Sequence, residues 1–406
     1  MNQVPILKQD FDGGTTPIQE ITETLRQSSS PSEYKRQFDR LLEIPETLSG
    51  FEQARLDSCE RVYVFGDVHA RCESVARGLE LIDESCKKRG TDLNSELGSG
   101  KLAILFVGDL VHAEKNVDSY QEGDTTQKRK KIAEENLNTV LGVSRLKKKY
   151  PAAVFVTRGN HDVSATVTGV AKMGIDQGLK LGEVLAQHEL DVPLQATLNQ
   201  FPSLVGLHIG NRHILMSHAL PIPFGDYASV ARFLDSQKLP FEGDQAMTNF
   251  IKGIWGETQT IALEKIREHT PELEKLLTWS KVQSPRAGVG SVLALGEQTR
   301  LPEDVLNEKS TRFVQDYLYL LMKFLFSTTK TGGTIKPADL LWFVGHEQTY
   351  TGMRNIATVL DSKRLTEKDV KIIQINDSNS LPIFGINTKN WDNPDFLSEK
   401  NLIKVK

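Results

Sequence analysis

A chain of 406 residues, 39% hydrophobic and 25% charged, carries enough apolar material for a large buried core and lacks the composition of a disordered polymer. Its 49 Lys and Arg against 53 Asp and Glu leave a net charge of -4, which argues against a dedicated nucleic-acid binder and requires any bound anion to meet a local site. The three cysteines, Cys59, Cys72 and Cys86, form no CxxC pair and are too few for a disulfide framework or a thiolate zinc site, which points to a reducing, cytoplasmic setting.

In chain order, the first segment is polar. Two pieces, PIQEITETLRQ and SEYKRQFDRLLEI, flank the linker-like SSSPS around Ser28 to Ser32 and predict an N-terminal helical arm over 1–59. The start has no basic stretch followed by an apolar one, so no general secretory signal is expected. From Arg61 the texture changes to short β-branched and aromatic runs: RVYVFGD, KLAILFVGD, AAVFVTRGN, RHILMSHAL, LLWFVGH and VKIIQIN. These read as buried strands. Between them, Arg71 to Arg89, Gln127 to Tyr150, Ala246 to Leu277 and Pro302 to Phe326 have helical periodicity, while Gly90 to Lys101 and Gln121 to Lys131 read as polar surface loops. Strands alternating with helices predict a layered α/β fold with covered sheets. The mostly helical stretch 255–337 is expected to be an insertion or cap. Its most apolar part, YLYLLMKFLF, is interrupted by Lys323 and is about half a membrane span long, so no transmembrane segment is predicted.

The residues at the strand ends are more informative than the strands themselves. RVYVF runs into Gly66-Asp67-Val68-His69, LAILFV into Gly108-Asp109, and AVFVTR into Gly159-Asn160-His161-Asp162; later, ILMS leads to His218 and LLWFV to Gly345-His346. In open α/β sheets such strand ends converge at one edge of a rigid scaffold. Asp67 and His69, two residues apart, leave the same face of an extended chain and could grip one ion. Asp109 could bridge that ion to a second, whose shell Asn160, His218 and His346 would complete. His208 and His213, on or beside the same strand run, are rivals for the role given to His218. A thiolate-free N/O set suits Mn²⁺, Fe or Zn²⁺ better than Ca²⁺. Two ions roughly 3.5–4 Å apart would polarise a phosphate ester and acidify water. His161, pointing differently from its neighbour Asn160, is the candidate general acid, and Arg158 offers a planar fork for phosphate oxygens.

GDVH, GD, RGNHD, the strand-borne His218 and GH at Gly345-His346, in that order, resemble the calcineurin-like metallophosphoesterases, particularly their phosphoprotein phosphatase branch, over roughly Arg61 to Asp377. The resemblance implies a two-sheet β-sandwich flanked by helices, a binuclear metal centre, and hydrolysis of phosphomonoesters by direct water attack. Carried over, Asp67, His69 and Asp109 match the first-metal ligands. Asp109, Asn160, His218 and His346 match the second-metal ligands, and His161 the catalytic acid. The substrate implied is a phosphoprotein or phosphopeptide bearing phosphoserine or phosphothreonine, with phosphotyrosine also open. A hydrolase of dinucleotide polyphosphates or small phosphoesters, and a non-catalytic phosphoprotein-binding scaffold, stand as alternatives.

This chain departs from the pattern in two places. Ala70 comes after the first histidine where the family usually has Gly, and GDLV continues as His112-Ala113-Glu114 rather than Asp-Arg-Gly. The carboxylate that usually orients the catalytic histidine is thereby replaced by His112, which would stand behind His161 outside the ligand set, and a phosphate-binding arginine by Ala113. Asp162 or Glu114 is then expected to orient His161, with Arg158 and Arg286 as the phosphate clamp. The expected division is an arm over 1–59, a catalytic domain over 60–390 that includes the insertion, and a tail over 391–406. Relatives with added helical segments include bacterial effectors delivered into host cells.

Overall fold

The computed structural model describes residues 16–42, 51–112, 126–167, 171–172, 175–210, 212–221, 244–279, 308–325, 339–346, 354–355, 371–375, 380–390 and 402–405. The apolar runs become strands: β1 (Phe51–Arg55), β2 (Arg61–Phe65), β3 (Leu102–Phe106), β4 (Val154–Val156), the short pair β5 (Ala171–Lys172) and β6 (Ile175–Asp176), β7 (Leu204–Ile209), β8 (Arg212–Ser217), β9 (Leu340–Val344), β10 (Arg354–Asn355), β11 (Lys371–Gln374), β12 (Leu381–Asn387) and β13 (Leu402–Val405). One mixed sheet has six strands in the order β1-β7-β8-β9-β11-β10, the other five in the order β13-β12-β2-β3-β4, and β5 pairs with β6. Within them β2, β3 and β4 run parallel, as do β8, β9 and β11.

Period-two alternation explains the layering. Val62, Val64, Ala103, Leu105 and Phe155 of the five-stranded sheet meet Val205, Leu207, Ile214, Met216, Leu341 and Phe343 of the six-stranded sheet in one shared core. Their strand neighbours Tyr63, Phe65, Ile104, Phe106, Val154 and Val156 turn outward beneath a helical layer. That layer contains α1 (Pro17–Arg26), α2 (Pro31–Leu42), α3 (Cys72–Lys87), α4 (Leu93–Gly98), α5 (Thr126–Lys149), α7 (Gln177–Ala186) and α8 (Asp191–Leu198), while the single turn α6 (Asn160–Val163) comes after β4. On the far side Leu204, Leu215, Leu340 and Trp342 face a second layer, made of α9 (Asp244–Trp255), α10 (Gln259–Arg267), α11 (Pro271–Trp279) and α12 (Glu308–Leu325). With both outer faces covered, the strands read as continuous apolar runs. The result is the two-sheet, helix-flanked α/β architecture that the motifs imply.

Local chemistry sets several elements. Thr16 and Gln19 form a capping box ahead of Pro17 at the start of α1, and Ile18, Ile21 and Leu25 turn inward at helical spacing. Leu25 closes on Gly142 of α5, where an added Cβ would lie 2.5 Å from the leucine side chain. In α2 Tyr34, Phe38 and Leu41 are buried, and the Tyr34 hydroxyl donates to Asn138 Oδ1 at 2.7 Å.

Other elements differ from the sequence expectation. Gly90 to Lys101, read as a loop, contains α4, capped by Asp92 and anchored by buried Leu93 and Leu97. The helical stretch Ala246 to Leu277 is three helices, because Gly256 adopts a left-handed φ of 123° and Pro271 starts α11. Strand β1 lies within the stretch read as helical, and β13 pairs antiparallel with β12 from within the stretch read as a tail. No described helix is long and apolar enough to cross a membrane.

Candidate metal centre

Parallel neighbours β2, β3 and β4 end side by side, so Asp67, Asp109 and Asn160 emerge at one sheet edge. The parallel pair β8 and β9 brings His218 and His346 to the same place from the other sheet. Three hydrogen bonds fix this junction, the last two of them crossing between the sheets. Gly345 N donates to His218 O at 2.9 Å, His346 N to Asp67 Oδ2 at 2.9 Å, and His218 Nδ1 to Val107 O at 2.8 Å.

The turns are tight and strained. His69, Ala70, Asp109, His112 and His346 all have left-handed φ, between 49° and 64°, a conformation costing roughly 1–3 kcal/mol each that persists only where the surroundings enforce it. His69 N to Asp109 O at 2.6 Å and Ala70 N to Leu110 O at 2.9 Å lock two of these turns together. The glycines before the ligands are steric necessities. A Cβ on Gly345 would sit 1.8 Å from Asp67 Oδ1, and one on Gly159 2.1 Å from Asp109 Oδ1.

All six expected ligands come together. Asp109 is central: its Oδ2 lies 3.2 Å from His218 Nε2, 3.8 Å from His69 Nε2 and 3.9 Å from His161 Nε2. Asp67 Oδ2 is 4.0 Å from His69 Nε2, and Asn160 Oδ1 is 2.9 Å from His218 Nε2 and 2.8 Å from His346 Nδ1. His161 Nε2 thus faces the same space as the ligands. His208 and His213 instead bond to each other, Nδ1 to Nδ1 at 2.9 Å, whereas it is His218 that reaches Asn160 and Asp109.

The donor set fits a cation. His69 Nδ1 lies against the His112 carbonyl oxygen at 3.0 Å and His218 Nδ1 against that of Val107, which fixes each proton on Nδ1 and leaves Nε2 as a lone pair aimed inward. At His218 that lone pair meets the oxygens of Asn160 and Asp109, an acceptor facing acceptors, which only a second proton or a cation resolves. Electrostatics obey the same logic. Burial acts against charge at His218, yet the Asp109 and Asp67 carboxylates raise its pKa to about 9. Burial likewise opposes the Asp109 carboxylate, but His218, His161 and His69 hold it well below the usual range. His161, where burial outweighs the attraction of Asp109, is pushed well below its ordinary value. Two overlapping three-residue groups, His69–Asp109–His161 and Asp109–His218–His346, have ligand atoms within 4.8 Å of one another, sharing Asp109 as a bridging carboxylate would.

The residues around this set correct two expectations. His112, not Asp162, orients His161: His112 Nδ1 lies 2.9 Å from His161 Nδ1, and its Nε2 lies 2.8 Å from the Ala165 carbonyl oxygen. Asp162 is occupied by backbone instead, its Oδ1 accepting from Leu110 N at 2.8 Å and its Oδ2 from Gly159 N at 2.8 Å. It staples two ligand loops together, and burial followed by the Asp109 charge pushes its pKa up to about 7. Arg158 is engaged away from a phosphate-clamp role. Its guanidinium donates to Asn199 Oδ1 at 3.0 Å and His269 Nδ1 at 2.8 Å, and pairs with Glu274. Buried to 4% exposure, it has its pKa lowered by burial to about 10. Arg286, Ala113 and Glu114 lie outside the described residues. Nothing in the local sequence marks Glu274 or His269 as partners of Arg158, because the contacts cross more than a hundred positions.

The family model described as calcineurin-like phosphoesterase matches residues 60–287, more than half of the 406 residues. No curated protein sequence matches the chain. Similar solved structures include a protein serine/threonine phosphatase from Saccharomyces cerevisiae with similarity to human phosphatase PP5, at 12% identity over 96% of this chain and 89% of that one, with a TM-score of 0.41. Another is a putative diadenosine tetraphosphatase, at 18% identity over 42% of this chain and 55% of that one, with a TM-score of 0.23.

Proposed function

The chain belongs to the calcineurin-like phosphoesterase family, and from that premise we propose that it is a two-metal phosphomonoesterase of the phosphoprotein phosphatase type, acting on phosphorylated protein side chains. The observation that carries this reading is the Asp109 carboxylate, shared at 3.2, 3.8 and 3.9 Å by His218, His69 and His161. Asp67, His69 and Asp109 would hold one ion, and Asp109, Asn160, His218 and His346 the other. Mn²⁺, Fe or Zn²⁺ suits this set of imidazole and oxygen donors. When bound, such a pair supplies acidified water and neutralises charge on the phosphate.

The chain's own groups do the rest. His112 donates from Nε2 to the Ala165 carbonyl, so when neutral its Nδ1 accepts from His161 Nδ1–H. That contact holds the His161 ring while its Nε2 faces the ligand space. In the reaction, water adds to phosphorus and the bond to the leaving oxygen breaks. Burial keeps His161 mostly neutral, so the reacting form is the doubly protonated fraction. Its Nε2 proton passes to that oxygen, the Nδ1–H bond to His112 stays in place, and the proton released by the attacking water restores the charge on His161. A histidine in place of a carboxylate stabilises the protonated His161 less, which favours leaving groups that need little protonation. Burial without disulfides of Cys59 and Cys86 fits a reducing, cytoplasmic setting.

The test is turnover by the Mn²⁺-loaded protein of phosphopeptides carrying phosphoserine, phosphothreonine or phosphotyrosine, beside dinucleotide polyphosphates. Release of phosphate from the peptides is expected. Cleavage of the dinucleotides alone would overturn the protein-phosphatase reading.

A further inference from the structure

Helix α11 touches the chain on both sides of the Asn160–His218 contact. From its first turn, Glu274 pairs with Arg158, two residues before Asn160. From its last turn, the Leu277 carbonyl accepts from Ala219 N at 2.7 Å, one residue after His218. Arg158 and Glu274 are largely buried, their side chains 5% and 17% exposed. The junction is polar and closed: Arg158 also reaches Asn199 and His269, and Ser203 Oγ lies 3.3 Å from His269 Nδ1. His269, which carries this acceptor between α10 and α11, sits at a left-handed φ of 51°. The first ion's residues Asp67 and His69 are locked instead through Asp109, Leu110 and His346 backbone contacts.

We propose that α11 is a brace for the second-ion half of the site, with Glu274 as its positioning residue; this rests on the two-ion reading above. Glu274 acts through Arg158 on the turn that presents Asn160, and Leu277 acts through Ala219 on His218. Together they keep Asn160 Oδ1 and His218 Nε2 within 2.9 Å of each other. The helical layer over the six-stranded sheet is therefore a control element. A ligand or partner that shifts α11 would change second-ion occupancy without touching the ligands.

The experiment is Mn²⁺ titration of the full chain by calorimetry, with melting temperature as the folding control. Two variants are compared with the wild type. Glu274→Gln keeps an acceptor but removes the charge, and Arg158→Met combined with Glu274→Met removes the pair without leaving a lone buried charge. Two ions are expected for the wild type. Both variants should keep the first ion and bind the second about tenfold more weakly, the scale of losing a group that orients a metal ligand. If Glu274→Gln does not fold, the double variant decides. Unchanged second-ion affinity, or equal weakening of both ions, overturns the brace. A wild type that binds fewer than two ions overturns the two-ion reading, and the brace with it.

Discussion

The two helical layers flank equivalent faces of the sandwich but reach different halves of the site. The layer over the five-stranded sheet reaches the proton-transfer side, where Asn136 of α5 accepts from His112 N at 2.8 Å through Oδ1 and anchors its own amide on Ile132 O. His112 then holds His161. The layer over the six-stranded sheet reaches Asn160 and His218, through Glu274 and the Leu277 carbonyl. On the proposed reading, one layer positions the proton donor and, through the His112 carbonyl, the first-ion residue His69, and the other positions the second-ion residues. Asp109 lies between them, in contact distance of His161 on one side and His218 on the other.

The strongest test of this division is the residue that both halves share. Asp109→Asn keeps the shape and removes the charge that holds His69, His161 and His218 together. Turnover should fall on the order of 10³-fold, about 4 kcal/mol of barrier, and both ions should bind more weakly in the same titration. Loss of one ion alone would mean that Asp109 belongs to one half. A packing change should behave differently. Leu25→Ala opens a cavity against Gly142, six residues along α5 from Asn136, and should lower stability by about 3 kcal/mol in denaturant unfolding. The metal affinity and kcat of the folded fraction should be unmoved.

The ligand-positioning side also has an acid-sensitive joint. Burial, then the Arg158 charge, lowers the His269 pKa to about 4, against the opposing attraction of Glu274 at 3.6 Å. The folded-state pKa lies below that of the unfolded chain, so the unfolded state takes up the proton first. This contribution to stability is complete above about pH 6.5 and is lost as pH falls towards about 4. After discounting for partial exposure, the loss is on the order of 2 kcal/mol. A His269→Gln variant, titrated by urea unfolding from pH 7 to 4, should show a shallower decline than wild type. Parallel declines would remove His269 from the account.

Much of the centre was legible because its chemistry is written locally. Each expected ligand comes after an apolar strand, all but His218 stand beside or near a glycine, and parallel neighbours in a sheet must end together, so five separated motifs predict one edge. The glycines mark tight turns in the sequence, and the fold supplies the steric reason, as at Gly345, where a Cβ would lie 1.8 Å from Asp67 Oδ1. The illegible part depends on long-range partners. Arg158 reads as a phosphate fork because its motif shows a free guanidinium, and only the fold supplies Glu274. Asp162 reads as the partner of His161 because it is adjacent, yet its place in a helical turn directs it to backbone N–H groups. Helix α4 was missed because its buried residues are only Leu93, Glu96 and Leu97 in a polar stretch, too few to show a period.

The smallest expected effect separates the two halves most cleanly. Asn136 is 1% exposed, and its side chain satisfies the His112 backbone N–H inside the first helical layer. Asn136→Ala leaves that donor buried without its partner, a cost of about 1–3 kcal/mol that the loop can relieve by shifting. His112 has a left-handed φ of 64°, so release of its backbone lets it relax from a conformation that only the surroundings enforce. The ring contact with His161 would lengthen, and proton delivery to the leaving oxygen would become less efficient. The expected result is a kcat about tenfold lower, with the first ion bound more weakly, because the His112 carbonyl holds His69 Nδ1, and with the affinity of the second ion unchanged. An aryl phosphate with a good leaving group should feel the substitution less than an alkyl phosphate, because it needs less protonation. Glu274→Gln should do the reverse, weakening the second ion while leaving that leaving-group preference alone. If Asn136→Ala weakened the second ion as well, the two layers would share one mechanical path to Asp109 and the division between them would collapse.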